Sequence, residues 1–177
     1  MQFRSIILPL SAAAMLAACS SADEPVESEE TVEAPAPQLT STPVPTQAAD
    51  GSPLAAGEWS INESGTGASA AFGLPGENAQ ILLTCQREGN VMSMSLAGEA
   101  EAMQSYVLES GGTAARLDML PGSDDALPML SAEIARDAPI FGGFVQAGGT
   151  IEISSPQGAV LRVPASPGIR RVFEACA

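Results

Sequence analysis

The chain has 177 residues and a formal charge of −14, which arises from 21 acidic side chains against seven arginines, with no lysine and no histidine. The absence of histidine removes the commonest general base and the commonest transition-metal ligand, and the absence of lysine removes Schiff-base chemistry and the P-loop lysine. So few cations cannot neutralise a row of phosphates, which excludes nucleic acid as a partner. We therefore predict that the chain is not an enzyme and holds neither a cofactor nor a metal.

Residues 1–18 have the parts of a secretory signal peptide. Arg4 precedes an apolar run from Ile6 to Met15, and small residues precede Cys19. The run is too short for a transmembrane helix, which needs roughly 20 apolar residues. The end of this region, Leu16-Ala17-Ala18-Cys19, resembles the lipobox of bacterial lipoproteins.

The resemblance to lipoproteins implies that the Cys19 thiol receives a diacylglyceryl group, that the signal is removed in front of it, and that the new amine is acylated. Several acyl chains anchor a protein stably, whereas a single chain binds a membrane only marginally. Ser20 follows the cysteine, and this favours the outer membrane, facing the periplasm, over the inner membrane. The alternative is an ordinary cleaved signal followed by a chance cysteine. The resemblance is confined to this region and implies no activity.

Residues 19–57 are interpreted as an acidic tether that begins with the lipidated cysteine. Residues 20–57 carry seven acidic side chains and six prolines, with no basic or aromatic residue. Such a segment cannot bury enough apolar surface to offset the entropy of ordering, so we predict disorder. A recognition or calcium-collecting segment is the alternative, although the carboxylates lack the spacing of a calcium loop.

Residues 58–177 are predicted to form a single β-rich domain. Apolar and polar residues alternate over short stretches bounded by turns, the pattern of half-buried antiparallel strands. In the clearest stretch, residues 80–86, the side chains of Ile81, Leu83 and Cys85 share one face. The predicted strands cover residues 58–62, 70–74, 80–86, 91–96, 106–108, 114–120, 129–135, 150–154 and 159–163.

Two short helices are predicted after the seventh strand and after the last. Asp137 is a suitable N-cap for the first, which would end at the glycines 148–149. Ser166 would cap the second, with Pro167 at its first position and Cys176 near its end. The predicted fold class is therefore mostly β (α+β), an antiparallel sandwich or small part-closed barrel with helices covering an edge or end. With an early Trp, a Leu-x-Cys strand and a terminal Cys, the layout loosely resembles small exported proteins of didermic bacteria, which implies no function.

Lipidation of Cys19 would leave two cysteines, Cys85 and Cys176. An even pair in an exported, oxidising compartment predicts one disulfide, which would attach the C-terminal helix to the strand of Cys85. Two free thiols are the alternative, but core packing alone does not explain a cysteine at the penultimate position. Closing a loop of about 90 residues would stabilise the fold by roughly 4 kcal/mol.

Candidate site residues are few, and each has a simpler structural interpretation. Asp118 with Asp124-Asp125 is the densest acidic cluster of the domain; it could serve a cation or glycoside hydrolysis, or consist of solvated turn residues. Arg170-Arg171 could bind an anionic polymer, or complement the C-terminal end of a helix dipole. Methionines at strand spacing are interpreted as core filling rather than copper ligands. They are Met92, Met94, Met103, Met119 and Met129.

The sequence thus predicts an envelope lipoprotein with a non-enzymatic binding or structural module, tethered to the periplasmic face of a membrane. Its partner would be an envelope protein or the cell wall. One alternative is a periplasmic protease-inhibitor-like β-barrel lipoprotein, disfavoured because those proteins usually have two closely spaced cysteines. The other is a carboxylate-based glycan hydrolase, which requires two acidic residues facing each other across a cleft.

Overall fold

The computed structural model describes residues 44–122 and 127–177. The signal peptide, Cys19 and the tether up to residue 43 lie outside these ranges, as do Asp124 and Asp125. The strands are β1 Glu58–Glu63, β2 Gly67–Gly73, β3 Ile81–Gln86, β4 Val91–Ala97, β5 Gln104–Ser110, β6 Thr113–Pro121, β7 Met129–Glu133, β8 Thr150–Ser154 and β9 Val160–Pro164. The helices are α1 Phe141–Phe144 and α2 Arg170–Ala175, with a 3-10 turn at Pro167–Ile169.

The nine strands form one sheet in the order β1-β2-β3-β4-β7-β6-β5-β8-β9. Every pair of neighbours is antiparallel. The sheet is curled into a half-barrel with two short helices. The predicted class, a mostly β, part-closed barrel, is therefore confirmed.

Alternate residues of the strands fill the concave side of the half-barrel. In β3, Ile81, Leu83 and Cys85 are buried while the residues between them are partly exposed, as the sequence pattern predicted. The other strands and both helices contribute apolar side chains to the same core. The largest fully buried side chains are Phe72, Phe144, Ile81, Leu83, Met94, Leu108, Met119, Leu130, Ile151, Ile169, Val163 and Val172.

The two edges of the sheet approach each other at β1 and β9. The indole Nε1 of Trp59 donates a hydrogen bond of 2.7 Å to the carbonyl oxygen of Pro164. The backbone N–H of Ala55 donates another, also 2.7 Å, to the carbonyl oxygen of Arg162. The Trp59 ring also packs on Phe72, with 5.4 Å between ring centroids. These contacts form a seam between the first and last strands.

Residues 44–57, which the sequence assigned to the tether, form a turn attached to β9. Gln47 and Pro53 make an isolated antiparallel bridge, and the carboxylate of Asp50 accepts the N–H of Ser52 at 2.9 Å. Ala55 packs against the core. The proline and acid content of this stretch indicated disorder, but its backbone hydrogen bonds and its small apolar residues are sufficient to dock it.

Helix α1 is shorter than the sequence predicted. It spans a single turn, Phe141–Phe144, and Asp137 does not cap it. Glycine is a poor helix former, and this turn contains two. Gly143 also approaches the β5–β6 turn so closely that an added Cβ would lie 2.7 Å from the backbone nitrogen of Gly111. Close packing on the sheet, rather than helix propensity, therefore determines this element.

The C-terminal segment is attached to the sheet by the predicted disulfide. Ser166 accepts a hydrogen bond from the N–H of Gly168, so it caps the 3-10 turn as expected. Helix α2 follows, and Cys176 behind it is bonded to Cys85 of β3, with 5.7 Å between the Cα atoms. Both cysteines are buried. Phe173 of α2 contacts Phe141 of α1 with ring centroids 5.4 Å apart, so the two helices form one apolar cover.

We expect Cys176→Ser to lower the free energy of unfolding by about 2–5 kcal/mol, because the bridge closes a long loop and α2 is too short to be stable alone. Urea denaturation of the oxidised chain measures the loss, with Cys19→Ser as the matched control that should change nothing. Mass spectrometry of unreduced peptides tests the bond directly. Separate peptides with free thiols at Cys85 and Cys176 would contradict it.

The seam provides a second stability prediction. Trp59→Phe keeps an aromatic ring against Phe72 but removes the donor to Pro164, so we expect a loss of about 1 kcal/mol. Trp59→Ala also removes the ring and should cost more, toward about 3 kcal/mol. The exposed neighbour Asn62→Ala serves as the control in the same denaturation assay. Equal stability of Trp59→Phe and the natural chain would show that the hydrogen bond contributes nothing.

Candidate functional site

The acidic cluster suggested by the sequence does not provide a proton donor in the described residues. Asp118 lies on the exposed face of β6, where it accepts hydrogen bonds from Ser105 Oγ at 2.5 Å and Arg116 Nε at 2.8 Å. These bonds hold the pKa of Asp118 below its usual range, whereas a general acid needs a raised pKa. Asp124 and Asp125 lie outside the described residues. Asp118 is therefore a hydrogen-bonded surface carboxylate.

Of the five methionines interpreted as core filling, three are buried, Met129 is partly buried and Met103 is exposed. Met92, Met94 and Met119 are buried in the core, as predicted. Met103 is 53% exposed, contrary to the prediction, because β5 begins at Gln104 and leaves it in the preceding connection. Across residues 44–122 and 127–177, no group of three or more His, Cys, Asp or Glu side chains is placed to hold a metal ion.

Arg170 and Arg171 open α2 rather than close it, so neither complements the C-terminal end of a helix dipole. The difference arises because Pro167–Ile169 forms a separate 3-10 turn. Arg171 pairs with Glu63 of β1 at 3.4 Å, with both side chains well exposed. Exposed pairs of this kind contribute little to stability.

The connections between antiparallel strands fall at two ends of the half-barrel. At the first, which we call the helix end, lie the β1–β2, β3–β4 and β5–β6 turns together with α1, the 3-10 turn and α2. At the second, the open end, lie the β2–β3, β4–β5, β6–β7 and β8–β9 connections and the start of β1. Within the described part of the chain, both helices belong to the helix end. The open end therefore has no helix over the interior of the half-barrel.

Exposed large apolar side chains are concentrated at the open end. Seven such residues occur among those described, and the seventh, Val107, lies in the middle of β5. Scattered exposed apolar residues are ordinary, but a concentration of them marks an interaction site. The other six belong to open-end connections or strand ends, and we call them the apolar rim: Val44, Leu74, Met103, Leu120, Leu127 and Val160.

A depression of about 260 Å³ opens into the half-barrel beside the rim residue Val160. Its walls include Leu96, Tyr106, Ile153 and Leu161, whose side chains continue into the core. Pockets that enclose a whole small molecule usually measure about 300–1,000 Å³. The depression is therefore suited to one or two protruding side chains of a partner.

A second apolar groove, of about 330 Å³, lies between the N-terminal turn and the β2–β3 connection. Val44 and Leu74 of the rim line it, together with Leu54 and Pro75, and Glu58 stands beside them. The groove extends the apolar surface of the open end to the point where the described chain begins.

The arginines, like the exposed apolar residues, are unevenly distributed between the two ends of the half-barrel. The exposed carboxylates of the open end, among the described residues, are Asp50, Glu58, Glu77, Glu99 and Glu101. Four of the six described arginines lie at the helix end: Arg87, Arg136, Arg170 and Arg171. The other two, Arg116 and Arg162, lie within strands and pair with Asp118 and Glu152. The open-end connections of the described chain thus carry carboxylates and no arginine, although Arg162 lies two residues from Val160 in β9. The pKa of Asp50 is lowered by its hydrogen bonds with Ser52 and, more weakly, by the charge of Arg162.

Sequence reasoning missed this site because its residues are far apart along the chain. Only the strand order brings them to one end of the half-barrel. A weak signal was nevertheless present. Leu74, Met103 and Leu127 are apolar residues in connections that otherwise consist of turn formers and acids. An apolar residue in such a place contributes nothing to strand alternation, which favours a role at the surface.

No helix among the residues described is long and apolar enough to span a membrane. In comparisons with known proteins, the chain matches no family model, no curated protein and no solved structure.

Proposed function

We propose that the chain is an envelope lipoprotein whose half-barrel acts as a non-enzymatic binding module at its open end, tethered to the periplasmic face of the outer membrane. The observation that carries the binding role is the concentration of exposed apolar residues in the apolar rim. An exposed apolar surface costs solubility, and its restriction to one end of the domain favours a partner there.

The anchoring half of the proposal is supported by the sequence Leu16-Ala17-Ala18-Cys19 and the apolar run before it. The acyl chains on Cys19 would hold the protein at the membrane surface without a spanning helix. Residues 20–43 separate Cys19 from the first described residue, Val44. Fully extended, these residues could span at most about 80 Å, which allows the open end to reach a partner in the envelope.

The binding role is favoured over catalysis by the composition of the open end. Its depression is lined mainly by apolar side chains, with the hydroxyl of Tyr106 and the amide of Gln80 among the few polar groups. Neither group is a strong acid or base near neutral pH. The glycan hydrolase alternative gains no support from Asp118, whose carboxylate accepts hydrogen bonds from Ser105 and Arg116 on the outer face of β6.

We expect Cys19→Ala to move the protein from the membrane fraction into the soluble periplasm, or to leave it unprocessed, because the thiol that accepts the lipid is gone. Fractionation of cells after a salt wash measures the distribution. Ser21→Ala is the matched control and should stay with membranes. A Cys19→Ala chain that still sediments with membranes would show that acyl chains are not the anchor.

The open end is tested by placing a photo-crosslinking amino acid, one position at a time, at Met103, Leu120 and Val160 in intact cells. We expect the same discrete product from all three positions, since they belong to one surface. Ala147, an exposed residue of the connection between α1 and β8 at the helix end, is the matched control and should give none.

Identical products from Ala147 and the rim positions would indicate random collision and remove the argument for a site. The absence of any product from the rim, with normal anchoring, would contradict the binding role while leaving the lipid anchor intact. Purified protein crosslinked alone shows whether the product needs a second component.

A further inference from the structure

The open end combines apolar surface with three carboxylates, Glu58, Glu99 and Glu101, that make no ion pair with an arginine of the described residues. In the described ranges, the ion pairs are Arg116 with Asp118, Arg162 with Glu152, and Arg171 with Glu63. None of these belongs to the open end. Its carboxylates are therefore available to a partner, whereas those in the ion pairs are already matched within the chain.

Two of the apolar surfaces have a carboxylate directly beside them. Glu58 lines the groove that Val44 and Leu74 form. On the other side of the open end, Glu99 and Glu101 line a shallow depression of about 460 Å³ with Met129. When a partner places an apolar side chain on either surface, the partner residues next to that side chain come within reach of Glu58 or of Glu99 and Glu101.

Three kinds of partner could cover the open end, and the combination of carboxylates with apolar surface distinguishes them. An anionic lipid surface would be repelled by Glu58, Glu99 and Glu101, which no ion pair of the described chain neutralises. Two copies meeting open end to open end would bring like charges together, which disfavours that contact. A polypeptide with apolar residues flanked by lysine or arginine satisfies both features of the surface.

We propose that the open end binds a cationic, amphipathic polypeptide segment, a statement that rests on the binding role proposed above and specifies its partner class. Apolar side chains of the segment enter the depression at Leu96 and Tyr106 and the groove at Leu74. Its cations lie against Glu58, Glu99 and Glu101. Charge attraction guides the encounter, while burial of apolar surface determines the lifetime of the complex.

The experiment uses the mature chain, residues 19–177, with Cys19→Ser so that no acyl chain is present and the disulfide is intact. The probe is a Leu/Lys peptide of about 14 residues with all leucines on one helical face. Two further peptides serve as comparisons: a scrambled isomer with the same composition but no apolar face, and a Leu/Glu version with the same face. Affinities are measured by calorimetry at low and at physiological ionic strength.

We expect binding of the Leu/Lys peptide, about tenfold weaker affinity for the scrambled isomer, and no binding of the Leu/Glu peptide. The variant Leu120→Ser/Val160→Ser should weaken binding by about tenfold through lost apolar contact. Glu99→Gln/Glu101→Gln should weaken it less, and its effect should shrink as salt is added. Ala147→Ser and Glu174→Gln, an apolar and an acidic control at the helix end, should stay within about twofold of the natural chain.

Equal affinity for the amphipathic and scrambled peptides would reduce the effect to general charge attraction and overturn the proposal. Three other results would also overturn it: equal binding of the Leu/Glu peptide, a dimer in sedimentation that Leu120→Ser/Val160→Ser abolishes, or rim-dependent binding to vesicles of phosphatidylcholine and phosphatidylglycerol. If rim positions crosslink in cells but the peptides are not discriminated by charge, this inference fails while the binding role stands. If neither occurs, both fail.

Discussion

The number of strands constrains everything else in this structure. Nine strands with antiparallel neighbours make the first and the last point in the same direction, so β1 and β9 cannot continue the antiparallel ladder when the sheet curls round. Two hydrogen bonds join them instead, from Ala55 to Arg162 and from Trp59 to Pro164. The seam therefore depends on one turn before β1 and on one indole side chain, and the half-barrel has no continuous ladder around it.

An incomplete seam exposes backbone groups at both edges, and unpaired edges are a risk for association between chains. The N-terminal turn covers part of β9 through Ala55. On β1, the segment that leaves β9 covers Ile61, so closely that a Cβ on Gly168 would lie 3.2 Å from its side chain. The disulfide between Cys85 and Cys176 then fixes the end of the same segment to β3. The C-terminal segment thus both protects the β1 edge and supplies the helical cover.

The sequence was sufficient to predict the local structure and insufficient to predict the site. Strand alternation and turn residues placed the nine strands within a few residues, and the parity of the cysteines predicted the disulfide. Composition overestimated the length of the tether, because the docking of residues 44–57 uses backbone hydrogen bonds that residue types do not reveal. Helix α1 was predicted too long because the contact of Gly143 with the β5–β6 turn is tertiary. Only the strand order brings Val44, Leu120 and Val160 to the same end of the half-barrel, and no local pattern contains that order.

The division between the two ends explains how a small domain can present apolar surface without losing its fold. At the helix end, apolar side chains such as Phe141 and Phe173 contact each other, and a covalent bond limits how far that cover can open. The rim residues at the open end are exposed in the folded chain, so changes there cost little stability, as is usual for surface positions. Acidic neighbours such as Glu58 and Glu99 disfavour contact between two copies at this end, because like charges would meet there. In the binding mode proposed above, the same carboxylates would attract the cations of the partner, so one arrangement of charge would serve both solubility and selectivity.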